Sequence, residues 1–179
     1  MKTKDCEKCQ GCPMLKVDFK YEEDGVEVHH KGSEQNVVQP QIGGSLRLAL
    51  AEAPGKEESI ACQPLVGGSG RVMNMLWAKA GIKRESLTIL NTINCRPPNN
   101  LYPTDPAARR YISEQDAKEA VRHCYREHVR PVLLSRPWIR LDIIGAKALE
   151  LLTGLKSVMQ WRGSPIEIDT EEIDKRILK

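Results

Sequence analysis

Three cysteines fall within seven residues near the start of the chain, in the stretch CEKCQGC at residues 6–12. Thiolates at this spacing can bind a metal, or they can form a disulfide or a redox-active pair. The stretch MKTKDCEKC has no apolar segment after its lysines, and no apolar run approaches the roughly 18 residues of a membrane helix. We therefore expect a cytoplasmic protein with reduced thiols, which favours metal binding. The chain has six cysteines, at positions 6, 9, 12, 62, 95 and 124.

The composition fits a folded chain of ordinary size. Of its 179 residues, 40% are hydrophobic and 28% are charged, which argues against disorder and predicts a single domain over 1–179. The net charge of +3 is too small to require a polyanionic partner. Between residues 96 and 140, nine Lys/Arg outnumber five Asp/Glu by four. Such a stretch is typical of a nucleic-acid-binding surface, but also of solvated helix faces.

Apolar periodicity predicts strands that alternate with helices. The predicted strands are SLRLALA, SLTILNT and IRLDIIG, and the helices are RVMNMLWAKAG, the segment from Ser113 to Val129, and AKALELLTG. A polar insertion at about 16–44 is predicted to contain a hairpin. One predicted helix face consists of Val72, Met73, Leu76 and Ala80, and a second of Ala117, Val121, Cys124 and His128.

Alternation of strand and helix predicts parallel strands with helices on both faces of the sheet, joined by right-handed crossovers. Ligands of such sheets bind at the carboxyl ends of the strands. The loops with the most distinctive residues follow the three predicted strands, at 51–70, 91–100 and 144–148. The functional residues are therefore expected in these loops.

Four motifs in these regions resemble those of the family 4 uracil-DNA glycosylases, the iron–sulfur branch of that superfamily. They are CQGCPML at 9–15, AEAPG at 51–55, PLVG at 64–67 and LNTINCRPPN at 90–99, in the family's order. The resemblance covers residues 9–15 and 45–163. It implies a three-layer α/β/α sandwich around a short, mostly parallel sheet.

The same resemblance implies hydrolysis of the N-glycosidic bond of uracil in DNA, by an enzyme of bacterial, archaeal or phage origin. The uracil must leave the base stack and enter a pocket that recognises its edge. Fixed dipoles must then stabilise the negative charge that gathers on the departing base.

The resemblance assigns the site residues. Asn91 recognises the uracil edge, and Glu52 positions water or organises the pocket. Leu65 occupies the position that stacks on the flipped base. The remaining substrate contacts are Ala53, Pro54 and Gly55, and the DNA contacts are Gly67, Gly68, Ser69, Gly70 and Arg96.

Family 4 enzymes bind a [4Fe–4S] cluster through four cysteines, which correspond to Cys9, Cys12, Cys95 and Cys124. Four thiolates suit a structural zinc ion equally well. Cys124 follows a long spacer, so Cys6 is the alternative fourth ligand. Cys62 is interpreted as a small loop residue.

Two departures from the family pattern affect the functional prediction. Leu65 replaces a stacking Phe, which removes an aromatic contact worth roughly 1–3 kcal/mol. After Trp161-Arg162-Gly163 the chain lacks the family's last core strand and its His-Pro-Ser-type loop. Three explanations remain open: a fragment of a longer, polymerase-like phage protein, a partner chain that completes the sheet, or loss of the catalytic half-site. Each predicts an exposed sheet edge.

Three functions therefore remain as hypotheses. The first is an active uracil-DNA glycosylase, and the second is a catalytically impaired DNA-binding or assembly module on the same fold. The third is an unrelated zinc protein with four thiolate ligands.

Overall fold

The computed structural model describes residues 1–178. Its strands form a two-stranded antiparallel hairpin and a separate three-stranded parallel sheet. The strands are β1 (Asp18–Glu23), β2 (Val26–Lys31), β3 (Arg47–Ala51), β4 (Thr88–Asn91) and β5 (Arg140–Ile143). The parallel sheet has the order β4-β3-β5, and the hairpin lies within the predicted polar insertion.

Helices connect the parallel strands, as the sequence predicts, and three more helices follow β5. They are α1 (Lys56–Ala61), α2 (Gly68–Lys79), α3 (Glu114–Cys124), α4 (Arg130–Leu133), α5 (Ala146–Thr153), α6 (Val158–Trp161) and α7 (Thr170–Ile177). A π-helical turn at Tyr125–Val129 joins α3 to α4. None of the described helices combines the length and apolar character needed to cross a bilayer.

Alternate residues of the strands enter two hydrophobic clusters, because successive side chains of a strand point to opposite faces. Leu48 and Leu50 pack with residues of α5, α7 and the π-helical turn. Ala49 and Ala51 pack with Trp77 of α2. Helices therefore cover both faces of a short parallel sheet, which confirms the predicted α/β/α fold.

The predicted buried face of α2 was wrong. Val72 is 52% exposed and Leu76 is 48% exposed, whereas Trp77 is buried and Met73 is partly buried. The indole of Trp77 has the larger apolar surface, and its N–H donates to a carboxylate oxygen of Asp142 at 3.4 Å. Burial of this side chain turns the Val72 side of the helix outward.

The predicted face of α3 was correct. Ser113 accepts a hydrogen bond from the backbone N–H of Asp116 at 3.1 Å and so caps the helix. Ala117, Cys124 and His128 are buried. The helix widens into its π-helical turn just before Pro131, whose ring lacks an N–H and clashes with a regular α-helical turn.

The two edges of the parallel sheet differ. Isolated bridges from Val37 to Cys95 and from Gln41 to Ile89 cover the β4 side. Within residues 1–178, β5 pairs with β3 only, and an open groove lies between β5 and the segment 161–168. The outer side of β5 is the exposed edge that the sequence predicts.

Candidate functional site

Glu52 and Asn91 meet at the carboxyl ends of adjacent strands. Asn91 is the last residue of β4 and pairs in register with Ala51, the residue before Glu52. The Asn91 side chain is 2% exposed, and its Nδ2 has no hydrogen-bond partner among the described residues. Glu52 Oε1 accepts a hydrogen bond from the backbone N–H of Lys147 at 2.8 Å. The structure therefore places the two predicted catalytic residues at the same end of the sheet, where the strands finish.

Two further side chains lie near this end of the sheet and were not identified as site residues from the sequence. The Tyr102 hydroxyl lies 2.8 Å from Thr92 Oγ1, and burial raises the pKa of Tyr102 above its ordinary value. Lys147 Nζ contacts Asp105 at 2.8 Å and lies 5.5 Å from the centre of the Tyr102 ring. The loop marked at 144–148 contains Lys147, whereas Tyr102 lies two residues beyond the loop marked at 91–100. Polar and aromatic residues in loops are too common to select these two.

Glu58 organises the turn that contains the predicted substrate-binding residues Ala53, Pro54 and Gly55. Its carboxylate accepts backbone N–H groups of Gly55 at 3.1 Å, Val66 at 3.1 Å and Gly67 at 2.6 Å. This carboxylate links the turn after β3 to the glycine-rich turn before α2. The signal was present in the sequence, because Glu58 lies three residues after Gly55, as in a capping box.

Arg84 supports the same glycine-rich turn from the other side. Its guanidinium donates to the backbone oxygens of Pro64 at 2.6 Å and Leu65 at 2.9 Å, and to Asn74 Oδ1 at 2.8 Å. These bonds hold Leu65 at a φ of 51°, a conformation that is uncommon for a residue other than glycine.

Leu65 lies in the hydrophobic core. Its side chain is 5% exposed and belongs to the cluster that contains Trp77, Leu87 and Ile89. The predicted stacking position thus contributes to core packing under the glycine-rich turn.

The glycine-rich turn leads into the N-terminus of α2. Gly68 and Ser69 are exposed, whereas Gly67 and Gly70 are buried. A Cβ added at Gly70 would lie 2.0 Å from the carbonyl oxygen of Leu65, so the turn and the helix pack too closely for a side chain. The exposed amides of this first helical turn are the type of donor that binds a phosphate.

Arg96 occupies an interior position, unlike the surface position expected of a DNA contact. Its guanidinium pairs with Glu23 of β1 and donates to Asn100 Oδ1 at 2.8 Å, and its side chain is 10% exposed. This pairing lowers the pKa of Glu23. Arg96 therefore anchors the hairpin to the loop after β4 through a buried ion pair, and a DNA contact at Arg96 stays a prediction.

The basic excess between residues 96 and 140 is largely neutralised by ion pairs. Six of its cationic side chains contact acidic partners that lie close in sequence or, for Arg130, on α7. The pairs are Arg109–Glu114, Lys118–Glu114, Arg122–Glu119, Arg126–Glu127, Arg130–Asp174 and Arg140–Asp142. The segment therefore resembles the solvated helix faces that the sequence left as an alternative.

The four predicted ligand cysteines line one small cavity. Cys9, Cys12, Cys95 and Cys124 are all buried free thiols, and residues of the N-terminal segment and α3 complete the walls. Cys6 does not line this cavity, so the geometry favours Cys124 as the fourth member. The other lining residues are Thr3, Met14, Leu15 and His123.

The thiols of this cavity stay protonated when no cation is bound. Burial and the neighbouring thiols raise the pKa values of Cys95 and Cys124. Four thiol groups between largely apolar walls fit the ligand set of a [4Fe–4S] cluster. A four-thiolate zinc ion needs a tighter set, and within residues 1–178 no three of these four cysteines have sulfur atoms within 4.8 Å of one another. Cys62 is exposed at the C-terminal end of α1 and does not line the cavity, in agreement with its interpretation as a small loop residue.

Comparisons with known proteins agree with this arrangement. The family model described as "Uracil DNA glycosylase superfamily" matches residues 45–176. The type-4 uracil-DNA glycosylase of Thermotoga maritima is 32% identical over 120 residues, which cover 66% of this chain and 55% of that protein. The corresponding protein of Pyrobaculum aerophilum is 30% identical over 112 residues, covering 62% and 50%.

A third relative matches a shorter region. The type-4 uracil-DNA glycosylase of Archaeoglobus fulgidus is 42% identical over 55 residues, which cover 31% of this chain and 28% of that protein. The chain thus spans about half the length, or less, of these curated relatives. Because the superfamily match extends over most of its length, the chain belongs to the uracil DNA glycosylase superfamily and, within it, to family 4.

Proposed function

We propose that the protein hydrolyses the N-glycosidic bond between uracil and deoxyribose in DNA. The observation that carries the proposal is the buried amide of Asn91 at the carboxyl end of β4, whose Nδ2 has no hydrogen-bond partner among the described residues. A buried polar group without a hydrogen bond costs about 1–3 kcal/mol, so such a group is well suited to a ligand that supplies the bond. The type-4 uracil-DNA glycosylases that this chain resembles give the ligand class.

Asn91 discriminates between bases through its hydrogen-bond pattern. A side-chain amide offers an oxygen acceptor and an NH₂ donor, which match the N3–H and a carbonyl oxygen of uracil. Cytosine presents an acceptor and an amino group at the corresponding positions, so it leaves unsatisfied an amide that is held in the orientation that fits uracil. Discrimination against cytosine follows from that mismatch.

Glu52 is assigned to position the attacking water. The backbone N–H of Lys147 fixes Oε1, which leaves Oε2 to orient a water beside the sugar. The departing uracil gathers negative charge, and fixed donors at the edge stabilise it more than water would. Backbone groups of Ala53, Pro54 and Gly55 complete the walls near the base.

The DNA strand is held by its phosphates at the glycine-rich turn. Exposed amides of Gly68 and Ser69 at the start of α2 are the proposed donors, with Gly67 and Gly70 allowing close approach of the backbone. Glu58 and Arg84 keep this turn in place from two sides. Arg96 is left out of the proposed contacts because it is committed to Glu23.

The four cavity cysteines are proposed to hold a [4Fe–4S] cluster, with a four-thiolate zinc ion as the alternative. When bound, the cluster supplies a structural cross-link. Cys9 and Cys12 belong to the N-terminal segment, Cys95 to the loop after β4, and Cys124 to α3. The ligands therefore tie three separate parts of the chain together beside the strand end that presents Asn91.

The test is cleavage of a uracil-containing oligonucleotide, followed by alkali to break abasic sites. Asn91→Ala should abolish the breaks while salt-sensitive DNA binding persists. Asn94→Ala is the matched control, since Asn94 is equally buried, lies three residues away and has an amide that also finds no partner within residues 1–178. Equal loss in both variants, or loss in the control alone, would remove Asn91 as the base-recognising residue.

A second function is favoured by one observation. Leu65 packs in the core and gives no aromatic face to a flipped base. A DNA-binding or assembly module without glycosylase activity would explain this replacement. Intact uracil DNA after incubation, with retained DNA binding, would support this function over the first.

The exposed β5 edge is proposed to accept a strand that completes the sheet. Its backbone groups face an open groove whose walls include Leu134 and Ile139, both exposed apolar residues. The strand could come from a partner chain or from a further segment of the same protein.

A further inference from the structure

A second group of metal-ligating side chains adjoins the four-cysteine cavity. The ligand atoms of Cys6, Cys9 and His128 all lie within 4.8 Å of one another. Cys9 Sγ is 3.7 Å from His128 Nε2. All three residues are buried, so water does not compete freely for these atoms. Neither Cys6 nor His128 lines the four-cysteine cavity.

Local structure explains why these side chains converge. Successive turns of the N-terminal segment, closed by backbone bonds from Cys9 N to Cys6 O and from Cys12 N to Cys9 O, place Cys9 between Cys6 and Cys12. His128 lies in the π-helical turn that precedes Pro131. Such wide turns are frequent at functional sites because they reorient side chains within a helix.

The neighbouring histidine is engaged elsewhere. His123 Nε2 lies 2.9 Å from the backbone oxygen of Lys8, and His123 Nδ1 lies 3.3 Å from Arg126 Nη2. His128 Nε2 instead faces a thiol. Of the two buried histidines on this helix, His128 is therefore the one available as a ligand.

We propose that Cys6, Cys9 and His128 form a separate binding site for one thiophilic divalent cation of the zinc class. Two thiolates and a neutral imidazole are a typical zinc ligand set, with a water molecule or another donor in the fourth position. Binding one Zn²⁺ releases two thiol protons and changes no oxidation state. Zinc binding at this site does not require the protein to be a glycosylase.

Cys9 belongs to both ligand sets, which makes the two sites alternatives. A thiolate committed to iron in the four-cysteine cavity is withdrawn from the zinc site, and a zinc-bound Cys9 leaves the cavity one ligand short. The protein therefore carries either a cluster or a zinc ion at Cys6, Cys9 and His128.

The decisive experiment measures zinc binding in the full chain with Cys12→Ser, which disables the four-cysteine cavity. Native mass spectrometry and Co²⁺ charge-transfer bands should show one cation per chain. Adding Cys6→Ser or His128→Gln should weaken zinc binding at least about 10-fold. Cys62→Ser, which removes an exposed cysteine, should leave the affinity unchanged.

X-ray absorption at the zinc edge, on wild-type protein purified from zinc-rich medium, tests the same site without a substitution. The zinc ion is expected to have two sulfur neighbours and at least one nitrogen neighbour. Four sulfur neighbours would place zinc in the cavity and overturn the proposal, whether or not Cys12→Ser folds.

Two other outcomes would also overturn the proposal. Unchanged zinc affinity after His128→Gln would reduce His128 to a hydrogen-bond partner of Cys9. A native mass that contains both a cluster and zinc at these ligands would contradict their mutual exclusion.

Discussion

Other parts of the chain cover one edge strand of the parallel sheet, β4, and leave the outer side of the other, β5, open. Every residue of β4 is buried, and bridges from Val37 and Gln41 cover its outer side. In β5 the first residue is exposed and the other three are only partly buried. The covered edge leads into the Asn91 and Cys95 loop, whereas the open edge faces a groove.

This difference shows how the chain distributes its buried contacts. Residues 1–44, which contain the hairpin and three of the cysteines, pack beside β4 and the loop that follows it. The candidate site thus depends on contacts between residues far apart in sequence, while β5 relies mainly on α5, α7 and β3. We expect substitutions at the covered edge to cost more stability than matched substitutions at the open edge.

The largest expected effect is at Ile89 of β4. Ile89→Ala should lower the free energy of unfolding by about 2–5 kcal/mol, because the side chain is fully buried and its removal leaves a cavity. Ile143→Ala in β5 is the matched change and should cost less than half as much, since Ile143 is partly exposed. Urea unfolding of both variants measures the difference. Equal losses would mean that the two edges are equally sealed.

A buried histidine distinguishes the covered edge further. His30 of β2 is buried, and burial together with Arg96 lowers its pKa from 6.5 to about 4, with His29 adding to this effect and Asp18 opposing it. Below pH 6.5 the His30 imidazole is therefore protonated in the unfolded chain but stays neutral in the folded chain. The free energy of unfolding keeps its full value above pH 6.5. It falls by about 1.4 kcal/mol per pH unit as the pH decreases from 6.5 towards 4.

Replacing His30 should remove this pH dependence. Between pH 6.5 and 5, wild-type protein should lose about 2 kcal/mol more stability than His30→Leu, as measured by urea unfolding at each pH. His29→Leu is the control, because His29 lies next to His30 in β2 but is exposed. A slope that persists in His30→Leu would assign the dependence to other groups.

The sequence predicted the fold well because its strands and helices have clear periodicity and end signals. Ser113 and Gly154 each mark a helix end as expected. The prediction of the buried face of α2 was wrong because several apolar residues of that helix are candidates for burial. The buried residue is Trp77, whose indole donates a hydrogen bond to Asp142 in β5, far away in sequence.

Site residues that belong to a motif could be predicted from the sequence. Contacts between residues far apart in the sequence could not. Asn91 and Glu52 lie together at strand ends, as their motifs predict. Arg96 carries the same motif signal but pairs with Glu23, which is 73 positions away. No local pattern indicates such a partner, and the same holds for His128 beside Cys9.

The smallest stability effect, and the sharpest test of the open edge, is at Ile139 beside β5. Ile139→Lys should change stability by less than about 0.5 kcal/mol, because the side chain is 81% exposed. The added charge should nevertheless weaken concentration-dependent association, measured by sedimentation, since lysine on an edge strand opposes strand pairing. Ile60→Lys is the control, as Ile60 is 74% exposed on α1, outside the groove. Equal effects of the two variants would trace association to apolar exposure in general, and a wild-type monomer at every concentration would leave the β5 edge to a different chain or segment.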